Sequence, residues 1–400
     1  MPTVTVAGAH GQTVTLNYDT NANAVLAQKL AAAITAGVHG GTIQPAVDTD
    51  GSPPPLLPGA TGEFVTTQNG LLSLPPGYKA VVNTAHNEII FGSGDADESV
   101  LSSIGDLKFF ATGGSGTVAA GGGHNLIDIP TSVSGSWSIN TGKGSDTVLA
   151  LGGGNNTINA GGGHNAIMLG SGNDVVQSIG DDTVTAGSGH ETIAAIGTHK
   201  TLVFGNSSQL LFVASDDAAT VFGGTGSDTF FGSKGPDLVV GGTGGNNLLF
   251  AGIGEATLFG GGDGDQLFAA GNKGQALHAG IGNETLFGGN ASGADTFYGG
   301  AGAATMTAGS GSDLFVFTDG QAGGTALIQA FASGVDHIDL QGYGQNEVNH
   351  ALKSQQVANG STTITLSDNT KITFGAPVNG LTTSDFITSN GNDVHGPGHA

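Results

Sequence analysis

Between Phe222 and Phe317 one short phrase recurs: GGTGSDTFF (Gly223–Phe231), GSKGPDLVV (Gly232–Val240), GGTGGNNLL (Gly241–Leu249), AGIGNETLF (Ala279–Phe287), SGADTFYGG (Ser292–Gly300) and AGSGSDLFV (Ala308–Val316). The period is nine residues, with glycines first, an acid or amide sixth and a large apolar residue eighth. A unit this short cannot bury its apolar face alone, so successive copies must stack into a solenoid. The glycine half supplies a tight turn and the apolar half a short strand. The inward ladder expected from this register is Phe230, Val239, Leu248, Leu286 and Phe315, and two phrases close one coil. Earlier in the chain the register returns at TGKGSDTVL (Thr141–Leu149), LGGGNNTIN (Leu151–Asn159), AGGGHNAIM (Ala160–Met168), LGSGNDVVQ (Leu169–Gln177), a shortened GDDTVT (Gly180–Thr185) and AGSGHETIA (Ala186–Ala194).

These phrases resemble the G-G-x-G-x-D-x-U-x nonapeptide of the RTX (hemolysin-type) proteins. The resemblance implies an all-β fold: a parallel β-roll or β-solenoid, here with a small N-terminal α+β cap and a C-terminal β cap. It also implies Ca²⁺ as cofactor, gripped by sixth-position carboxylates and turn carbonyls, a donor set of hard oxygens in flexible geometry that calcium accepts. The candidate metal residues are Asp146, Asp174, Asp182, Asp228, Asp237, Asp265, Asp295 and Asp313. Alternation places Asp146, Asn165 and Asp182 on one coil edge and Asn156, Asp174 and Glu191 on the other. Later, Asp228, Asn246, Asp265 and Glu284 fall on one edge, and Asp237, Ala256, Gln275, Asp295 and Asp313 on the other. Between Ala195 and Val221 the sixth positions read Lys200, Gln209 and Ala219, so no calcium is expected there. Amides and alanine elsewhere make calcium a partial stabiliser, helped by amide ladders that need no metal.

Composition narrows the function. Of the 400 residues 74 are glycine, and nine lysines face 32 acids for a net charge of −23. That charge repels phosphate backbones and anionic lipid, which argues against nucleic-acid and membrane-surface partners. The absence of cysteine leaves neither disulfides nor thiolate sites to hold the fold. The N-terminus MPTVTVAGAHG has no basic and apolar leader pattern, and no apolar run reaches the ~20 residues of a membrane span.

In chain order, residues 1–43 read as a hairpin about His10–Gly11 followed by an amphipathic helix near 23–36, capped by Asp19, Thr20 or Asn21. The helix is expected either to cover the open edge of the first coil or to belong to a separate small docking module. Residues 44–62 read as a Pro-rich linker or strap, 63–140 as irregular first coils, 141–317 as the repeat proper and 318–400 as the C-terminal cap. Trp137 reads as a packed loop residue. Beyond Asp313 the phrase Gly334–Leu340, a hairpin about Asp368–Asn369 and a terminal Asp385-Phe386-Ile387 resemble the C-terminal region of RTX proteins exported by type I secretion machinery.

Catalytic signatures do not emerge. His190-Glu191 lacks the second histidine of H-E-x-x-H, no G-x-S-x-G elbow occurs, and arginine is missing. His124, His164 and His190 sit at fifth positions and read as surface polar groups. The function expected is a secreted, non-catalytic, self-assembling structural protein of a surface layer, fibre or biofilm matrix. The alternatives are a monomeric adhesin for polysaccharide or a host surface and, further off, an enzyme resembling the alginate-epimerase or lyase β-helices.

Overall fold

The computed structural model describes residues 1–47, 52–197, 199–206, 209–290, 292–320 and 324–387. The chain forms two compact units, 1–224 and 225–400.

In the first unit β1 (Thr3–Ala7) and β2 (Thr13–Asn17) make the expected antiparallel hairpin. The helix α1 (Asn21–His39) is longer than the sequence pattern, and among its three candidate caps Thr20 serves: its side chain accepts the Asn23 N–H. Then β3 (Ile43–Val47) pairs in parallel with β4 (Thr61–Thr66), so the Pro-rich segment begins as a strand rather than a linker. Residues 48–51, inside that expected linker, lie outside the described residues. Pro45, with no N–H to offer, suits an edge position. From β4 onward, strands step alternately between two parallel sheets. Phe64, Val81, Val100, Val118, Ile139, Ile158, Val176, Ile193 and Phe212 form the inward row of one, and Leu72 through Val221 that of the other. Each fully buried Phe, Ile or Val contributes about 1.5–3 kcal/mol.

The hairpin and helix lie on a face of the first strands, not over an open edge as expected. Val4, Val6, Leu16 and Tyr18 of the hairpin and Ala24, Ala27, Ala31 and Ile34 of α1 pack on the outward side chains Val65, Ala80, Val82, Leu101 and Ala119. The cause is legible in those strands, where apolar residues occupy both faces, so the outward row needs a cover.

In the second unit Phe230, Leu249, Leu267, Leu286, Met306, Ile328 and Phe374 stack in register, opposite Val239, Leu258, Leu277, Phe297, Phe315, Ile338 and Phe386. Leu249 replaces Leu248 in the inward ladder: Leu249 is 1% exposed and Leu248 half-buried. The phrase there carries one extra residue, and Asn246 takes the left-handed conformation (φ 61°) to absorb it. At the C-terminal end Ser361–Thr365 and Lys371–Phe374 form the expected hairpin, with Asn369 at φ 66°. A short helix α2 (Glu347–Ser354), not expected from the sequence, precedes it. Phe386 and Ile387 add a last strand to His337–Gln341.

Candidate metal centre

Turns stack as tightly as strands. At Gly161 (φ 70°) an added Cβ would lie 1.9 Å from the Gly142 carbonyl oxygen of the preceding coil, so only glycine fits. With turns this close, sixth-position side chains face the preceding coil and are buried.

All eight candidate aspartates are 4% exposed or less. Their common geometry is a ladder in which the sixth-position oxygen accepts the main-chain N–H of the sixth residue one coil earlier. Asn125 N–H donates to Asp146 Oδ1 (2.8 Å), Asp146 N–H to Asn165 Oδ1 (2.9 Å) and Asn165 N–H to Asp182 Oδ1 (3.2 Å). On the opposite edge Trp137 N–H donates to Asn156 (3.0 Å) and Asn156 N–H to Asp174 (2.7 Å). In the second unit the runs are Asp228, Asn247, Asp265 and Gln275, Asp295, Asp313, Asp336. Asp237 instead takes the Ser233 N–H (2.7 Å) and hydroxyl (2.9 Å), and pairs in register with Ala256.

The edges expected from alternation are therefore present, with register corrections. Asn247, not Asn246, stands between Asp228 and Asp265. Asp182 is opposite Thr201, so Lys200 belongs to the exposed fifth-position row, where its N–H donates to Asp181. Gln209 is likewise opposite His190, which leaves Leu210 beside Glu191. The middle positions are thus Thr201, Leu210 and Ala219: carboxylate-free, but through hydroxyl and apolar replacement and not through a lysine cation. Trp137 is no loop residue. It opens the strand Trp137–Asn140 at a sixth position, packed 5.4 Å from Phe109 and over Gly116. Sequence reading missed Glu88 and Glu98, which start the two edges of the first unit and which irregular phrases hid. Asp336 of the Gly334–Leu340 phrase, which the sequence offers with Asp339 either as a ligand or as a turn cap, ends one edge in the second unit.

Amide and acid coils differ in what their turn carbonyls receive. Gln275 Nε2 donates to the carbonyls of Gly254 (2.6 Å), Ala270 (2.9 Å) and Lys273 (3.3 Å), while Asn156, Asn125 and Asn247 each donate to one turn carbonyl. A carboxylate has no N–H to offer such carbonyls, and what fits between carboxylate and carbonyl oxygens is a cation. Asp146 and Asp174 make the case directly: their Oδ2 atoms are buried with no hydrogen-bond partner. The Thr141 hydroxyl near Asp146 donates to the Ala160 carbonyl (2.7 Å). Asp182, Asp265, Asp295 and Asp313 accept donors at both oxygens, and each carboxylate retains further lone pairs. Among the described residues no three His, Asp or Glu side chains converge to hold a metal. A cation here draws on carbonyls as well, and such a donor set suits Ca²⁺.

Electrostatics agree. Burial pushes the Asp146 carboxyl up to about 6, against the hydrogen bonds from Asn125. Burial likewise raises Asp174, Asp182, Asp295 and Asp313. Carboxylates whose charge is disfavoured by desolvation are those a divalent cation stabilises most. The histidines split as surface groups: His164 lies 3.6 Å and His199 3.8 Å from the half-exposed Asp181.

The family model of the RTX calcium-binding nonapeptide repeat matches the chain in four copies, at residues 141–176, 214–247, 222–254 and 278–315. No curated protein matches the chain.

Proposed function

Taking the chain as an RTX-type calcium-binding β-roll protein, we propose that it is a secreted, non-catalytic structural subunit that assembles with copies of itself at a bacterial surface or in the extracellular matrix. In this reading Asp146, Asp174, Asp182, Asp228, Asp237, Asp265, Asp295 and Asp313 hold Ca²⁺, and type I machinery exports the chain through its C-terminal region.

The observation that carries assembly is an uncharged aromatic wall. Phe231, Phe250, Phe268 and Phe287 stack on the outward side of successive strands with centroids 5.1, 4.5 and 4.7 Å apart. The other sheet carries Phe259, His278 and Tyr298, spaced 4.2 and 3.9 Å. Burial lowers the His278 pKa to about 4, so this column is neutral at physiological pH. The rows beside them are Thr229, Leu248, Gln266 and Thr285, and Thr257, Ala276 and Thr296. With a net charge of −23 in the chain, two such faces can meet without bringing acids together, and extended apolar patches of this kind mark interaction surfaces. The adhesin reading fits less well. Near-parallel rings cover one another's faces and present edges, whereas a sugar ring stacks on an aromatic face.

Electron microscopy and light scattering of the pure protein test this. Ordered polymers are expected with calcium and smaller species after chelation, and a Phe250→Ser/Phe268→Ser variant should keep its calcium and lose the polymers. A monomer under all conditions that binds a polysaccharide would replace assembly by adhesion. For export, deletion of residues 340–400 should leave the protein inside the producing cell; normal secretion of the truncation would refute the type I route.

A further inference from the structure

Polar contacts as well as hydrophobic packing join the cap to the coils, among them the Asn17 N–H to Ser103 Oγ (3.0 Å) and the Tyr18 hydroxyl to the Ala119 carbonyl (3.3 Å), and one of them carries a buried carboxylate. Asp19, in the turn between β2 and α1, reaches the paired turns Gly121–Gly123 and Gly142–Gly144. Its Oδ2 accepts the Lys143 N–H (2.5 Å). Its Oδ1 is buried and has no hydrogen-bond partner. Both turns are shaped around this carboxylate: a Cβ added at Gly122 would lie 2.5 Å from Oδ2, and one at Gly142 2.6 Å from Oδ1. Asn23, 1% exposed, fastens the neighbouring carbonyls, donating to Ala120 (2.8 Å) and Thr141 (2.6 Å).

These two turns belong to the phrases AGGGHN (Ala120–Asn125) and TGKGSD (Thr141–Asp146). The first has an amide at its sixth position where an acid would serve, so this pair of coils supplies one carboxylate, Asp146. That carboxylate is 1% exposed, and its Oδ2 is the other buried, unpartnered oxygen bordering the turn 141–146.

We infer that Asp19 supplies from the N-terminal cap the second carboxylate of a Ca²⁺ site whose first is Asp146, so that calcium fastens the cap to the solenoid. The inference rests on the reading that sixth-position carboxylates hold Ca²⁺. Two carboxylates and main-chain carbonyls are a donor set calcium accepts, and one ion stabilises both otherwise unmatched oxygens. Calcium then does more than hold coils together. It ties the cap to its seat over Val65, Val82 and Leu101, and calcium withdrawal loosens that cover.

The test uses the full chain and Asp19→Asn, which keeps an oxygen for the Lys143 N–H and removes the charge. Calcium titration calorimetry should find one ion fewer per chain than in the wild type. Hydrogen exchange across residues 21–39 should slow at least tenfold on adding calcium to the wild type and remain unchanged in the variant. Asp174→Asn, on the other edge, should also lose an ion yet retain the calcium response of the helix. If Asp19→Asn does not fold, Asp146→Asn carries the same two expectations. Unchanged stoichiometry and an unchanged helix response in these variants would overturn the inference while leaving the sixth-position reading intact. A wild type that binds no calcium would overturn both.

Discussion

Asp146 Oδ2 and Asp174 Oδ2 are sealed from water with nothing donating to them, an arrangement that costs free energy whenever the carboxylates are charged and no cation is present. The consequence is a pH dependence of unusual sign. Burial raises the folded-state pKa of Asp146 from 3.8 to about 6, so its stabilising contribution is complete below the unfolded value and lost as pH rises through about 6. Asp174, Asp182, Asp295 and Asp313 shift in the same direction. In chelator, the urea midpoint should therefore be higher near pH 4.5 than near pH 7.5, with Asp146 alone accounting for on the order of 2–3 kcal/mol. Calcium should remove most of that difference. A chelated protein that is less stable near pH 4.5 would contradict the assignment. Amides make the complementary case: Gln275 gives its N–H groups to three carbonyls, and Gln275→Glu should make that coil calcium-dependent, read as a new chelator-sensitive exchange step.

Among the elements, strand existence was legible, and phase was legible where the phrase keeps its length: Phe230, Val239, Leu286 and Phe315 point inward as expected, and only the irregular stretches slip. A period of nine fixes which sheet a strand joins, but a shortened or lengthened phrase shifts the register by one residue, and in a strand that exchanges the two faces. GDDTVT, one of these irregular phrases, precedes the slip by which Lys200 and Gln209 were read one position early, and the extra residue at Asn246 did the same to Leu248. The phase is testable: Leu249→Ala should cost about 2–5 kcal/mol and Leu248→Ala less than about 1 kcal/mol in urea denaturation; equal costs would refute the observed register. The position of α1 was illegible because a helical stripe tells only that a partner exists. The signal naming the partner lay in the two-sided apolar strands around Val65, Val82 and Leu101. Removing residues 1–42 should expose that row, and the truncated protein should bind a hydrophobic dye and aggregate; a soluble, well-folded truncation would show that the cover is dispensable. The helix α2 escaped notice because eight residues carry little periodicity.

At the scale of the molecule, charge is segregated. Acids cluster in and beside turns and the aromatic faces of the second unit are neutral, so the proposed calcium sites and the proposed assembly faces fall on different surfaces of the same coils. The acidic edges, their alternation and the carboxylate-free middle were readable from the phrase; the aromatic walls were not, because the phrase defines the glycines, the sixth and the eighth positions and leaves the outward residue after the eighth unassigned. The central claim is that sixth-position carboxylates hold Ca²⁺. It is tested most directly by anomalous diffraction from crystals grown in calcium. Ions should lie between stacked turns with oxygens at about 2.3–2.6 Å, beside Asp146, Asp174, Asp295 and Asp313, with none beside Thr201, Leu210 or Ala219. Ions spaced evenly through that middle stretch, or none at the aspartates, would contradict the account.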